Sequence, residues 1–143
     1  MRVLLIDASL VATALLEENK KVEKLFKELL VWAEKKKILL ISSKFLSLEV
    51  ANALRFTIKD KDKCLQIMKD FSVLPIRTFV LSKVHLQLSI KTSFELGTTV
   101  YDTSYHIMAK AYGATFITCD EEYFNKAELL GDIEFANKTS KLI

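Results

Sequence analysis

The chain has little of what marks a secreted, disulfide-stapled or disordered protein. Its 143 residues include three glycines, one proline and two cysteines. Scarce glycine and proline, with half the residues hydrophobic, exclude a low-complexity chain and leave one that can bury a core. Cys64 and Cys119 make neither a disulfide framework nor a metal-ligand spacing, which suits a reducing compartment. No apolar run approaches the length that crosses a membrane. The segment Met1 to Leu16 has the basic residue and apolar VLLI of a signal peptide. Asp7 falls inside that apolar region, however, and no small-residue cleavage site follows. The expectation is one cytoplasmic domain spanning 1–143. Glutamine is also rare, with two residues, and 18 of the 21 basic residues are lysines, a composition that leans toward thermophiles. The net charge of +3 permits an anionic partner without demanding one.

What is present is an alternation of two patterns. Segments 3–6 (VLLI), 38–41 (ILLI) and 114–117 (ATFI) are short continuous apolar runs, which predict strands buried on both faces. Between them, 9–18, 20–36, 43–58 and 101–112 carry helical spacing. Residues 84–90 alternate like a strand, but the stretch 79–96 has no turn residue and is too long for one, so a helix is expected. Gly97, Gly113 and Gly131 each close a helical stretch. Pro75, inside the apolar run 73–76, predicts an edge strand, because proline cannot donate to a ladder. Strands alternating with helices predict an α/β fold with a largely parallel sheet.

Four acids stand out against this frame. Asp7 ends the first strand, at the sheet edge where open α/β folds place their ligand crevices. Asp120 follows the run 114–117 and reaches the same edge. Glu49 has Phe45, Leu46, Ala53 and Phe56 within about 60° of it on a helical wheel, so it is expected to interrupt an apolar stripe. Asp102 opens the helix 101–112. Each has a plainer alternative: Asp7, Asp102 and Asp120 as ordinary helix-start acids, Glu49 as a side chain snorkelling at the stripe's rim. Together they could converge on one crevice. Crowded carboxylates repel unless a cation neutralises them, and an oxygen-only set selects Mg²⁺ or Mn²⁺.

These residues carry a resemblance that runs almost end to end. The opening LLIDAS, with Asp7 and Ser9, resembles the first motif of the PIN-domain nucleases, and in particular of VapC-type toxins. SLEVANALR, with Glu49 and Asn52, is similar to the second. TTVYDTSYHIMAKAYGATFITCD, with Asp102 and the Thr118-x-Asp120 ending, is similar to the last two. The resemblance implies a three-layer α/β/α sandwich with a parallel sheet in strand order 3-2-1-4-5. It implies Mg²⁺- or Mn²⁺-dependent endonucleolytic cleavage of RNA, with Asp7, Glu49, Asp102 and Asp120 supplying the acids and Ser9 and Thr118 orienting them. It also implies a homodimer and a small antitoxin partner. A free-standing RNA-processing nuclease and a catalytically silent binding scaffold are the alternatives within the same fold.

Two positions depart from the family pattern. Cys119 replaces a common small alanine and is expected to be a packing thiol. His106, one turn after Asp102, is expected at the surface, with contact to substrate phosphate as the alternative. Lys44 and Arg55, around the Glu49 helix, are the candidates for binding RNA backbone. Lys35, Lys36 and Lys37 are expected to be a solvated helix end, remote from the acids. Other folds fit less well. A haloacid-dehalogenase phosphatase needs a second acid where Ser9 stands, and a receiver domain needs paired acids where Leu5 and Ile6 stand.

Overall fold

The computed structural model describes residues 1–138. Five strands form one sheet: β1 (Arg2–Ile6), β2 (Ile38–Ser43), β3 (Arg77–Phe79), β4 (Thr115–Thr118) and β5 (Ile133–Phe135). Their order is β3-β2-β1-β4-β5 and all four pairings are parallel. Seven α-helices connect them among the described residues: α1 (Ala8–Leu15), α2 (Lys20–Glu34), α3 (Leu46–Thr57), α4 (Lys61–Phe71), α5 (Lys83–Leu96), α6 (Val100–Ala111) and α7 (Glu121–Ala127).

The central strands are apolar throughout because both faces are covered. Leu4, Ile6, Leu40 and Ile117 point into one core with Leu10 and Val11 of α1, Val22, Phe26 and Leu29 of α2, and Val50 and Leu54 of α3. Leu5, Ile41 and Phe116 point the other way, against Tyr105, Met108 and Ala109 of α6 and Tyr123 of α7. Helices on both faces of a parallel sheet make the three-layer α/β/α sandwich.

The helix starts follow their capping chemistry. Side chains of Asp7, Asn19, Asp60, Ser82, Thr99 and Asp120 each accept a backbone N–H in the first turn of the helix they precede. Gly97 and Gly113 take the left-handed conformation at the ends of α5 and α6, as expected of them. Gly131 closes a single 3₁₀ turn, Glu128–Leu130.

Several expectations need correction. The apolar run 73–76 is not the edge strand: it is a turn, and β3 begins at Arg77. The edge position expected from Pro75 holds all the same, because a proline just ahead of a short edge strand displaces no ladder bond. The helix within 79–96 is real but starts at Lys83, since Phe79 still belongs to β3. Glu49 does not interrupt the buried stripe of α3, which is Leu46, Val50 and Leu54. Phe45 and Phe56 are exposed, so Glu49 stands half-buried at the stripe's margin.

Candidate active site

Parallel register brings the first two acids together. Ile6 pairs with Ile117, so the next residues of the two strands, Asp7 and Thr118, emerge side by side at the C-terminal edge. The Thr118 hydroxyl donates to Asp7 Oδ2 at 2.6 Å, and the Ser9 hydroxyl donates to Asp7 Oδ1 at 2.7 Å. The Leu10 N–H adds a third bond at 3.1 Å. Both hydroxyls are anchored in turn, accepting from the backbone N–H groups of Cys119 (onto Ser9) and Asp120 (onto Thr118). Asp7 is 4% exposed. Burial pushes its carboxyl up to about 6, against the pull of these hydrogen bonds, and the charge of Asp102 pushes further in the same direction.

Asp120 starts α7 and accepts the Tyr123 N–H at 2.9 Å. Asp102 lies in the first turn of α6, where Thr99 accepts its N–H at 3.1 Å. Burial raises the Asp102 carboxyl, Thr99 opposes this, and Asp120 and Glu122 raise it again. Glu49 receives a hydrogen bond from the Tyr105 hydroxyl, which ties α3 to α6. Burial raises Glu49, the Tyr105 bond lowers it, and Asp102 adds a smaller upward push. Tyr105 itself is held in its neutral, donating form. Asp102 is therefore the hub. It raises Asp7 and Glu49, and Asp120 raises it in turn.

A cavity of about 310 Å³ opens beside this cluster. Asp102, Asp120, Glu122, Thr98, Thr99 and Lys126 are among the residues lining it. Glu122 and Lys126 were missed by the sequence reading. Their one sequence signal is the i,i+4 spacing, which is common on any solvated helix face.

The donor types suit a hard divalent ion: carboxylates only, of which Asp7, Glu49 and Asp102 are pushed toward protonation by burial. Among the described residues, no three His, Cys, Asp or Glu side chains stand close enough together to form a ready-made cage. The reason is visible in the bonds. Glu49 is turned to Tyr105, Asp120 to the start of α7, and Asp7 to Ser9 and Thr118. The residues fit such an ion in chemistry; their convergence on it is not preformed.

The two residues that depart from the resembled pattern resolve differently. His106 is not at the surface: it is fully buried, so the expectation was wrong and phosphate contact is closed to it. Its Nδ1 meets the Tyr123 hydroxyl at 2.8 Å and its Nε2 meets the Gly131 carbonyl at 2.7 Å, which braces α6 against α7. Burial lowers its pKa and keeps the ring neutral, with Nε2–H donating to the carbonyl. Cys119 is half-buried against the core, its thiol pushed up to about 12 chiefly by burial, as an unreactive packing thiol should be. Lys35, Lys36 and Lys37 lie ahead of β2, at the opposite sheet edge from Asp7. Arg55 is exposed, stacks over Phe56, and lines a different cavity between α3 and α4. Lys44 follows β2 at the same edge as the acids, and its backbone N–H ties that strand end to Phe79.

The sandwich and its strand order define a class: the PIN-like α/β/α fold. Within that class the chain has the fold of a VapC-type domain. One similar solved structure is VapBC2 from Rickettsia felis bound to a DNA fragment from their promoter, at 14% identity and a TM-score of 0.67 over 93% of this chain and 98% of that one. Another is PAE2754 from Pyrobaculum aerophilum, at 23% identity and a TM-score of 0.64 over 96% of this chain and 93% of that one. No protein-family model and no curated protein matches the chain.

Proposed function

We propose that this chain is a Mg²⁺- or Mn²⁺-dependent endoribonuclease acting as the toxin of a toxin–antitoxin pair. The observation that supports the reading is that Asp102 and Asp120 line one cavity while Asp7 and Glu49, from two further segments, stand near enough to Asp102 to feel its charge. Isolated helix-start acids would not need to share a site, and mutual repulsion costs stability unless something offsets it. A bound divalent ion would supply that offset, an activated water and a counter-charge for the reacting phosphate. The chain's own residues do the positioning. Ser9 and Thr118 lock the Asp7 carboxylate in one orientation, and Tyr105 holds Glu49 over α6. The test is cleavage of single-stranded RNA by purified protein. Cleavage should vanish with EDTA and return with Mg²⁺ or Mn²⁺; undiminished cleavage by metal-stripped protein sinks the mechanism.

Two partners belong to this reading. VapBC2 supports a small antitoxin, whose arginine could bind the acids bidentately and silence the site. Co-purification with the product of the adjacent small gene, followed by an RNA-cleavage assay, tests it. A second copy of this chain is supported by the outward face of α5. Val84, Leu86, Leu88, Ile90 and Phe94 are exposed there while the helix buries only Ser89 and Thr92. Light scattering of wild type and Phe94→Glu decides it.

A catalytically silent scaffold is the second reading, favoured by the lack of a preformed ligand cage among the described residues. Metal titration by calorimetry separates the two: a silent scaffold would bind no Mn²⁺ at Asp102.

A further inference from the structure

A nucleic-acid strand entering the cavity beside Asp102 meets three carboxylates: Asp102, Asp120 and Glu122. The residues expected from the sequence to offset them do not line it. Arg55 lines a separate cavity, and Lys44 is not among the lining residues. Of the described residues lining the cavity, one is basic: Lys126, on α7. Its Nζ donates to the Gly97 carbonyl at 3.0 Å and to Glu122 Oε1 at 3.3 Å. The lysine side chain is 41% exposed and that of Glu122 is 81% exposed. The longer bond therefore runs to an exposed carboxylate, and such surface pairs contribute little. An ammonium has three donors, so exchanging Glu122 for a phosphate oxygen leaves the Gly97 bond intact.

We propose that Lys126 is the site's phosphate anchor, gripping the backbone of a bound single strand at the rim of the acidic cavity. The inference rests on the nuclease reading for its purpose but not for its test. The Gly97 bond fixes the ammonium at the junction of α5, α6 and α7, so the anchor is held in register with Asp102 and Asp120. Glu122 acts as a placeholder that occupies the ammonium until substrate arrives. The recognition is of phosphate alone, so it applies equally to an RNA or a DNA strand; discrimination between them must come from elsewhere.

The alternative is that Lys126 merely tethers the end of α5. Lys126→Gln separates the two through the salt slope, because losing the charge removes a phosphate contact whereas losing a tether alone changes no count of phosphate contacts. Lys126→Arg keeps the charge. Binding of a short labelled oligoribonucleotide and of its DNA counterpart is measured by fluorescence anisotropy on the full chain in EDTA, across a salt series. K126Q should weaken both strands by roughly fivefold and reduce the slope of log affinity against log salt by about 0.7, one single-strand phosphate contact. K126R should restore both, and Glu122→Gln should tighten binding. In cleavage assays with Mg²⁺, K126Q should raise KM far more than it lowers kcat. Wild-type affinity and slope in K126Q overturn the proposal, as does wild-type protein that binds neither strand. Lys126-dependent binding without any cleavage would leave the anchor standing and remove the nuclease reading.

Discussion

Asp7 and Asp120 occupy the same local structure in two different environments. Each follows a parallel strand, each caps the next helix, and the two strands are neighbours in the sheet. Yet Asp7 is buried under α1 with both oxygens bonded, and its carboxyl is raised to about 6. Asp120 is half-buried on the wall of an open cavity and accepts one N–H from its own helix. A helix cap can thus be a plain cap or a desolvated charge, depending on what is packed over it. The difference separates what each acid contributes to the site from what it contributes to the fold.

The largest effect should erase the comparison. Asp7→Asn and Asp120→Asn should each lower metal-dependent RNA cleavage by more than about a hundredfold, beyond what losing a supporting partner costs. Single-turnover cleavage in Mn²⁺ measures it; retained activity in either variant removes that acid from the proposed site.

Stability should then divide the pair. Below pH about 3.8, Asp7 is protonated in the folded and unfolded chain alike. Between there and about 6 the folded chain holds a proton that the unfolded chain has released, so stability falls as pH rises. The loss amounts to about 3 kcal/mol and is complete above pH 6. Urea denaturation of metal-free protein from pH 4 to 7 should show this slope superposed on other titrations, and Asp7→Asn should flatten it. At pH 7 the same variant should match or exceed wild-type stability. A large loss instead would mean that Asp7 acts mainly as a cap.

Ser9→Ala sharpens the contrast from the side of the supporting residue. It takes a donor from Asp7 and an acceptor from the Cys119 N–H, so it should cost about 1–3 kcal/mol and weaken Mn²⁺ binding by about tenfold. Calorimetric titration and urea melts at pH 7 report the two effects separately. The smallest expected change is the stability of Asp120→Asn. Asparagine caps as well as aspartate, so the midpoint of metal-free denaturation should move by no more than about 0.5 kcal/mol.

Legibility in the sequence followed the number of layers covering an element. β1, β2 and β4 are covered on both faces and read as unbroken apolar runs. α4 carries Cys64, Ile67, Met68 and Phe71 at helical spacing against the core but only Phe71 is buried, and the sequence reading missed its stripe; β5 is three residues paired through β4 and left no distinct pattern. His106 failed for the opposite reason. An exposed first-turn acid predicts an exposed i+4 neighbour, but α5 packs along α6, Tyr123 of α7 bonds to His106, and Thr103 and Tyr105 through Ala109 are all interior. Lys126 and Glu122 looked like an ordinary solvated pair.

By itself the sequence determined the class of fold and the sheet edge at which Asp7 and Asp120 emerge. Those are local properties: an apolar run sets a two-sided strand, and the residue after it must surface at the strand's end. Which acids are desolvated, which hydroxyls hold them and which lysine faces them was decided only by tertiary structure. Those depend on the register of β1 against β4 and on the hydrogen bonds from α6 to Glu49 of α3 and Tyr123 of α7. Burial and charge coupling act over a few ångströms between residues as many as 111 positions apart in the chain, a separation no local pattern encodes.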